Sequence, residues 1–313
     1  MKKLCFELSL AAIFLFLFLY PSQALAASRV GLHLWFDTLL PTLLPFMILS
    51  GIFIRGDLAR PLVSLLAPFF KKALMLSPGG TYALLMGFLC GCPMGAKTVN
   101  DLLERGQIAP EEAQYLAGFC NNLSPSFIVT FLVTEKLGRP ALMLPVLVIL
   151  YGSPLLFAIL TNPAYRRLAA CPKETPAPNP PAAREALSFV MVDHCILDSV
   201  LTVVRLGGYI MLFAILAGAV RLLPFPPKAT AVLTALAEIT NGIPAILEAF
   251  PFPAAFLLLM TLASFGGLSA LAQTDSAGGF SDKKNAHLSL WKYVRSKLLI
   301  SLIAAFLSVC FLL

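Results

Sequence analysis

Two ionisable side chains stand where an otherwise apolar chain breaks. Lys97 closes the run Gly91-Cys92-Pro93-Met94-Gly95-Ala96-Lys97, and Glu238 opens Glu238-Ile239-Thr240-Asn241-Gly242. Two further breaks follow them, Asn121-Asn122-Leu123-Ser124-Pro125 and Ser264-Phe265-Gly266-Gly267-Leu268-Ser269, with Gln273 and Asp275 beyond the last. In hydrocarbon every backbone N–H and C=O must find a partner, so unwound backbone survives only where protein buries it or where it lines a cavity. A charge at such depth costs about 2.5–3.5 kcal/mol on insertion scales, which makes function the default reading. Lys97, Asn121, Asn122, Ser124, Thr240, Asn241 and Ser269 are therefore candidate substrate ligands, with Glu238 a candidate for coupling to H+ or Na+. Gly91, Gly95, Gly242, Gly266 and Gly267 serve tight turns and close backbone approach. A structural reading stands beside each charge. Lys97 can snorkel to the interface, and Glu238 can form a salt bridge or be a hydrogen-bonded core residue.

Other chemistries find no support. There is no nucleophile elbow with Ser, His and Asp, no P-loop, no GxGxxG after a strand and no HExxH, so an enzyme is not expected. Cys90 and Cys92 form a C-x-C, but no second Cys/His pair follows at zinc-like spacing, and His33, His194 and His287 are isolated. No metal or cofactor is expected, and cysteine reads as a small, soft packing residue.

The elements that must position these residues are membrane helices. The chain is 58% hydrophobic and only 12% charged, against roughly 25% charged in soluble domains. Its net charge of +7 reads as loop charge that sets topology; no basic run is interleaved with aromatics, so no nucleic-acid partner is expected. Residues 1–27 read either as a signal peptide, with Ala24-Leu25-Ala26 resembling a cleavage site, or as a retained span over about residues 4–20; the tally of spans closes better with retention. Residues 1–75 comprise these N-terminal spans, the second near 35–54, and an interfacial piece at 62–70. Residues 76–162 form a first repeat: a re-entrant hairpin with its break at 91–95, a helix broken at 121–125, and a span at 141–160. A polar, proline-rich linker at 163–184 divides the halves. Residues 185–279 form the second repeat, with an interfacial helix at 186–204 passing at Gly207-Gly208-Tyr209 into a span, a hairpin broken at 238–242 and a helix broken at 264–269. A charged linker with Asp282, Lys283 and Lys284 and a last span occupy 280–313.

The repeats correspond. ALLMGFLCGCPMGAK lies against AVLTALAEITNGIPA, pairing Gly95 with Gly242, and Asn121-Asn122-Leu123-Ser124 lies against Gly266-Gly267-Leu268-Ser269. With Lys2 and Lys3 inside, the spans put Arg29, Lys136, Arg139, Arg221 and Lys228 outside and all other lysines and arginines inside or at the inner edge, as the positive-inside rule asks. The fold class expected is an all-α polytopic membrane protein with two inverted repeats, each with a re-entrant hairpin and a broken transmembrane helix. Such repeats place a binding site near mid-membrane.

At these residues a resemblance enters. GCPMGAK, FCNNLSP, LAEITNG and SFGGLSALAQ, with LWFDTLLPTLLPFMILSG and RLGGYIMLF, resemble the motifs of the YlbJ family of sporulation integral membrane proteins. That family carries the nucleoside-recognition or Gate domain and is similar to concentrative nucleoside transporters. The resemblance implies a multi-pass protein of the outer forespore membrane, or the cell membrane of a spore former, that passes dipicolinate to the forespore. Half-helix N-termini and Lys97 would then attract a flat dicarboxylate, while Glu238 suits a coupling ion. Cys92 departs from the aromatic commoner at that place in the motif. The expected partners are a small-molecule substrate, the bilayer, a coupling H+ or Na+ and a second copy of the chain. The competing expectations are a non-transporting scaffold of the sporulation apparatus and a nucleoside-type carrier.

Overall fold

Helices and their connecting turns account for all the described residues. A computed structural model describes residues 11, 13–56, 58, 60–169, 188–280 and 288–313, and among them there is no strand. The expectations for residues 1–10, most of the interhelical linker (170–187) and the charged segment 281–287 lie outside the described residues.

The chain runs through α1 (Pro21–His33), a π-helical stretch (Leu34–Leu39) and α2 (Leu40–Arg55) without leaving helix. α3 (Arg60–Leu74) and α4 (Pro78–Cys90) meet at 99°. α5 (Met94–Glu104) and α6 (Pro110–Ala117) follow, then a π-helical segment (Phe127–Leu137) and α7 (Met143–Ala169). The second half contains α8 (Phe189–Arg221), α9 (Pro227–Ala237), α10 (Ile239–Ala249), α11 (Phe252–Phe265), α12 (Gly267–Gly278) and α13 (Leu290–Leu312). Five helical runs among the described residues are long and apolar enough to cross a membrane: 21–53, 140–167, 189–221, 252–278 and 290–312. This is a multi-pass integral membrane protein. Leu144, Leu160, Leu201, Leu302 and Phe306 project from these runs with most of their surface uncovered, as lipid contact requires and water would penalise.

The helices that carry the breaks are short. α4 has 13 residues and α5, α9 and α10 have 11 each, giving lengths of about 16–20 Å against a hydrocarbon core of about 30 Å. None crosses alone. α4 packs on α5 and α9 packs on α10, so each pair is a hairpin. Prolines start these arms where the missing N–H costs nothing, at Pro78 behind the Ser77 cap and at Pro227. The first arm ends on Gly91, whose φ of 79° only glycine adopts freely. In each hairpin the arms meet at small residues: Gly95 faces Gly87, and Gly242 faces Ala235.

Three parts of the sequence expectation need correcting. Arg29 lies within α1 rather than in a loop, because Pro21 starts a helix that the π stretch then carries into α2. Within that continuous run Thr42 Oγ1 donates back to Thr38 O at 2.7 Å. The passage from interfacial helix to span expected at Gly207-Gly208-Tyr209 leaves no boundary, and α8 is one helix of 33 residues. Gly207 instead makes room for the indole of Trp35, whose Nε1 donates to Val203 O at 2.9 Å. Helix α7 also continues through Pro163 to Ala169, shortening the linker.

Around the hairpins the apolar packing forms two main clusters. One gathers α4, α5, α6 and the start of α13 around Leu84, Val99, Leu116, Phe119 and Tyr293. The other gathers α2, α8, the second hairpin and α11 around Leu39, Phe131, Ile239, Ile243 and Phe256. α12 touches both hairpins, packing on α5 and on α9.

Candidate functional site

The first helix break is answered group by group. After α6 the chain turns through Cys120, leaves helix over residues 121–124 and resumes it at Pro125. Asn122 Nδ2 donates to Phe119 O at 2.7 Å, and Asn122 O accepts from Cys92 N at 2.7 Å. Asn121 Oδ1 takes Ala96 N in the first turn of α5 at 3.4 Å, while its Nδ2 donates to Thr274 Oγ1 at 2.8 Å and Tyr293 OH at 3.3 Å. Ser124 Oγ accepts from Phe127 N at 3.2 Å and restarts the helix. Tyr151 OH donates to Leu123 O at 2.8 Å. The break is thereby sewn to the first hairpin tip and to α12 and α13.

The second hairpin is closed by its own carboxylate. Glu238 is buried in the single non-helical residue between α9 and α10, a narrower break than 238–242. Its Oε1 accepts from Thr240 N at 3.1 Å, and its Oε2 accepts from Asn241 N at 2.8 Å and from the Thr240 hydroxyl. Negative charge at a helix N-terminus meets both the orphan N–H groups and the positive end of the dipole. The half-helix end that sequence reasoning offered to an anionic substrate is already occupied by the chain's own acidic side chain. The other broken helix, α11–α12, turns at Gly266 with φ 91°, and Gly267 backs onto the carbonyls of Ala235 and Leu236 at the second hairpin tip. Each half therefore sets its helix break against its own hairpin tip.

Between these parts lies a cavity of about 60 Å³. Ser124 and Cys92 line it from the first half, and Glu238, Thr240, Ser269 and Gln273 from the second. Leu39, Leu43, Phe127, Leu206 and Ile210 supply an apolar wall. Gln273 Nε2 donates to Ser269 Oγ at 2.9 Å. Ligand pockets commonly measure about 300–1,000 Å³; this one has room for a few waters, so a metabolite requires the walls to part.

The structure brings Ser124, Glu238, Thr240 and Ser269 to this one cavity. Asn121 and Asn122 sit behind it in the hydrogen-bonded break, and the Asn241 amide is buried beside the Glu238 cap without lining the cavity. Gly91 and Gly95 pack on Ser124 and on Cys120–Asn121, and Gly242 packs on Ala235. Lys97 is half-buried one turn into α5, near Asp101 of the next turn, and does not line the cavity.

Sequence reasoning missed Lys297. It lies about two turns into α13 yet is only 3% exposed, and its Nζ donates to Asn122 Oδ1 at 3.0 Å. A lysine at the centre of a membrane helix costs about 2.5–3.5 kcal/mol, so an apolar span retains one only against compensating contacts. A signal was present: Tyr293, Lys297, Ser301 and Ser308 fall on one face of an otherwise apolar helix, and all four are buried.

A curated protein is similar to this chain: the sporulation integral membrane protein YlbJ of Bacillus subtilis (strain 168), 38% identical over 125 residues. The match covers 39% of this chain and 31% of the relative, so it spans about a third of that protein. It bears out the resemblance read from the sequence motifs. No profile of a known family matches the chain, and no solved structure matches it.

Proposed function

We propose that this chain is a sporulation membrane carrier that moves a small polar metabolite by alternating access. The observation that carries the reading is the cavity at the seam, where Cys92 and Ser124 of one half meet Glu238, Thr240, Ser269 and Gln273 of the other. Short hairpins and interrupted helices converge on such a site when two halves rock about it. In this reading the hairpins enter from opposite faces, and the lining residues grip the solute as the seam opens. Dipicolinate, which the family resemblance implies, is the candidate substrate. The test is the dipicolinate content of spores lacking this protein, with synthase activity verified. A severe deficit, restored by the wild-type gene, supports the carrier; full content refutes dipicolinate as its cargo.

One observation favours a second reading, a membrane scaffold. Both oxygens of Glu238 are engaged by its own helix, and Asn121 and Asn122 are paired with side chains and backbone. Under that reading purified protein in liposomes accumulates no solute, while the variant lacking Glu238 still disturbs spore assembly.

A further inference from the structure

We propose that Lys297 is a built-in cation for the first helix break, its ammonium taking the seat that a monovalent metal ion would otherwise fill. Unwound helices leave carbonyl and amide oxygens facing inward, and such clusters are where coupling cations bind in carriers. Here the side-chain oxygen that Asn122 turns away from its own backbone contacts is met by Lys297 Nζ at 3.0 Å. The geometry fixes the amide's direction: its Nδ2 is held by Phe119 O at 2.7 Å, so Oδ1 must point towards α13. Lys297 is buried, and among the described residues no carboxylate lies within ion-pair distance of it. Beyond that amide its nearest partner is the ring of Tyr293, whose centroid is 5.9 Å from Nζ. A buried cation held by an amide oxygen beside an aromatic face, and lacking an acid, is placed like a bound ion rather than like half of a salt bridge.

The tether changes what the site requires. A diffusible cation must be captured each time the break forms, whereas an ammonium carried on α13 arrives with the helix. The break therefore forms without Na+. The consequence for coupling, that solute movement ignores the Na+ gradient, rests on the carrier reading; the seat itself does not.

Thermal denaturation of the purified full-length protein in detergent tests the seat without any transport. Wild type should melt at the same temperature in NaCl and in choline chloride of equal ionic strength. Lys297→Ala should melt lower in choline chloride and recover part of the loss in NaCl or methylammonium chloride, small cations that fit the vacated space. Lys297→Met, which fills that space with an apolar chain, should melt lower and recover in neither. Stabilisation of wild type by Na+ over choline overturns the proposal, as does equal recovery of both variants, the mark of a general salt effect. It is overturned too if Lys297→Ala responds to neither ion. Should Lys297→Ala not survive extraction, the wild-type comparison and Lys297→Met still decide. A parallel liposome assay with dipicolinate as probe separates the two readings. Absence of uptake removes dipicolinate as the cargo and leaves the melting result standing, whereas Na+-dependent uptake by wild type removes the built-in cation and keeps the carrier.

Discussion

Adding one methyl group at Gly87 tests whether the first hairpin and the first helix break are truly in contact. A Cβ at this position would stand 1.9 Å from Cys120 O and 2.9 Å from its carbonyl carbon. An ordinary C···O approach is about 3.3 Å, so the two segments must separate by about 1.4 Å. Both sides of the clash are backbone, and no rotamer change relieves it. Overpacking of this kind costs about 1–3 kcal/mol. The movement also pulls Cys92 N from Asn122 O, now 2.7 Å apart, and a stranded buried N–H costs about 1–3 kcal/mol more. Alanine's better helix propensity returns about 1 kcal/mol. The balance for Gly87→Ala is a loss of about 1–5 kcal/mol, large against a total stability of about 5–15 kcal/mol. Gly208→Ala is the matched control, since a Cβ there meets nothing within 4 Å and should stabilise by about 0.4–1 kcal/mol. Gel filtration of heated, detergent-solubilised protein reads both variants. Should Gly87→Ala melt at or above wild type while Gly208→Ala behaves as expected, the hairpin does not rest on the break.

Three further outcomes follow from particular contacts. Tyr151→Phe strands Leu123 O, which now accepts from the phenol at 2.8 Å; it should cost about 1 kcal/mol and lower the melting temperature, and an unchanged melt would remove that tie. Gly207→Val should drive Trp35 from α8, where a Cβ would lie 2.6 Å from the indole, costing about 1–3 kcal/mol; tryptophan fluorescence reports the ring's displacement, and an unshifted spectrum counts against the packing. On the carrier reading, Lys97→Ala should leave dipicolinate uptake into liposomes near wild type, because Lys97 stands off the cavity, whereas Glu238→Gln, with one acceptor oxygen in place of two, should reduce it. The reverse ranking would place the pathway along α5 instead.

The breaks were legible because glycine, proline, asparagine and serine have no ordinary purpose inside a 20-residue apolar run. Those residue types marked Gly91, Asn121–Ser124, Glu238 and Gly266, and the structure interrupts its helices at each of them. What escaped was set by distant partners. Gly207-Gly208-Tyr209 read as the passage from an interfacial helix into a span because the sequence around it does not reveal that Trp35 occupies the space. Lys297 follows Lys292 and Arg295 in an otherwise apolar run, and nothing local sets it apart; its partner is Asn122, 175 positions away. Lys97 drew attention by adjacency to a break, but a helix turns side chains through 100° per residue, and three residues past the new helix start is enough to face elsewhere.

The two hairpin tips satisfy their backbones from different sources, and this bears on how the protein is made. The second tip is capped by Glu238, a residue of the tip itself, so its main polar debts are settled as soon as residues 238–242 leave the ribosome. The first tip is not self-sufficient: Cys92 N and Ala96 N find acceptors on Asn122 and Asn121, 30 and 25 residues later in synthesis. Until that segment emerges, the turn at 91–93 has unpaired donors that lipid cannot answer. On the carrier reading, the first hairpin should enter the bilayer together with the helix that follows it, whereas the second can enter alone.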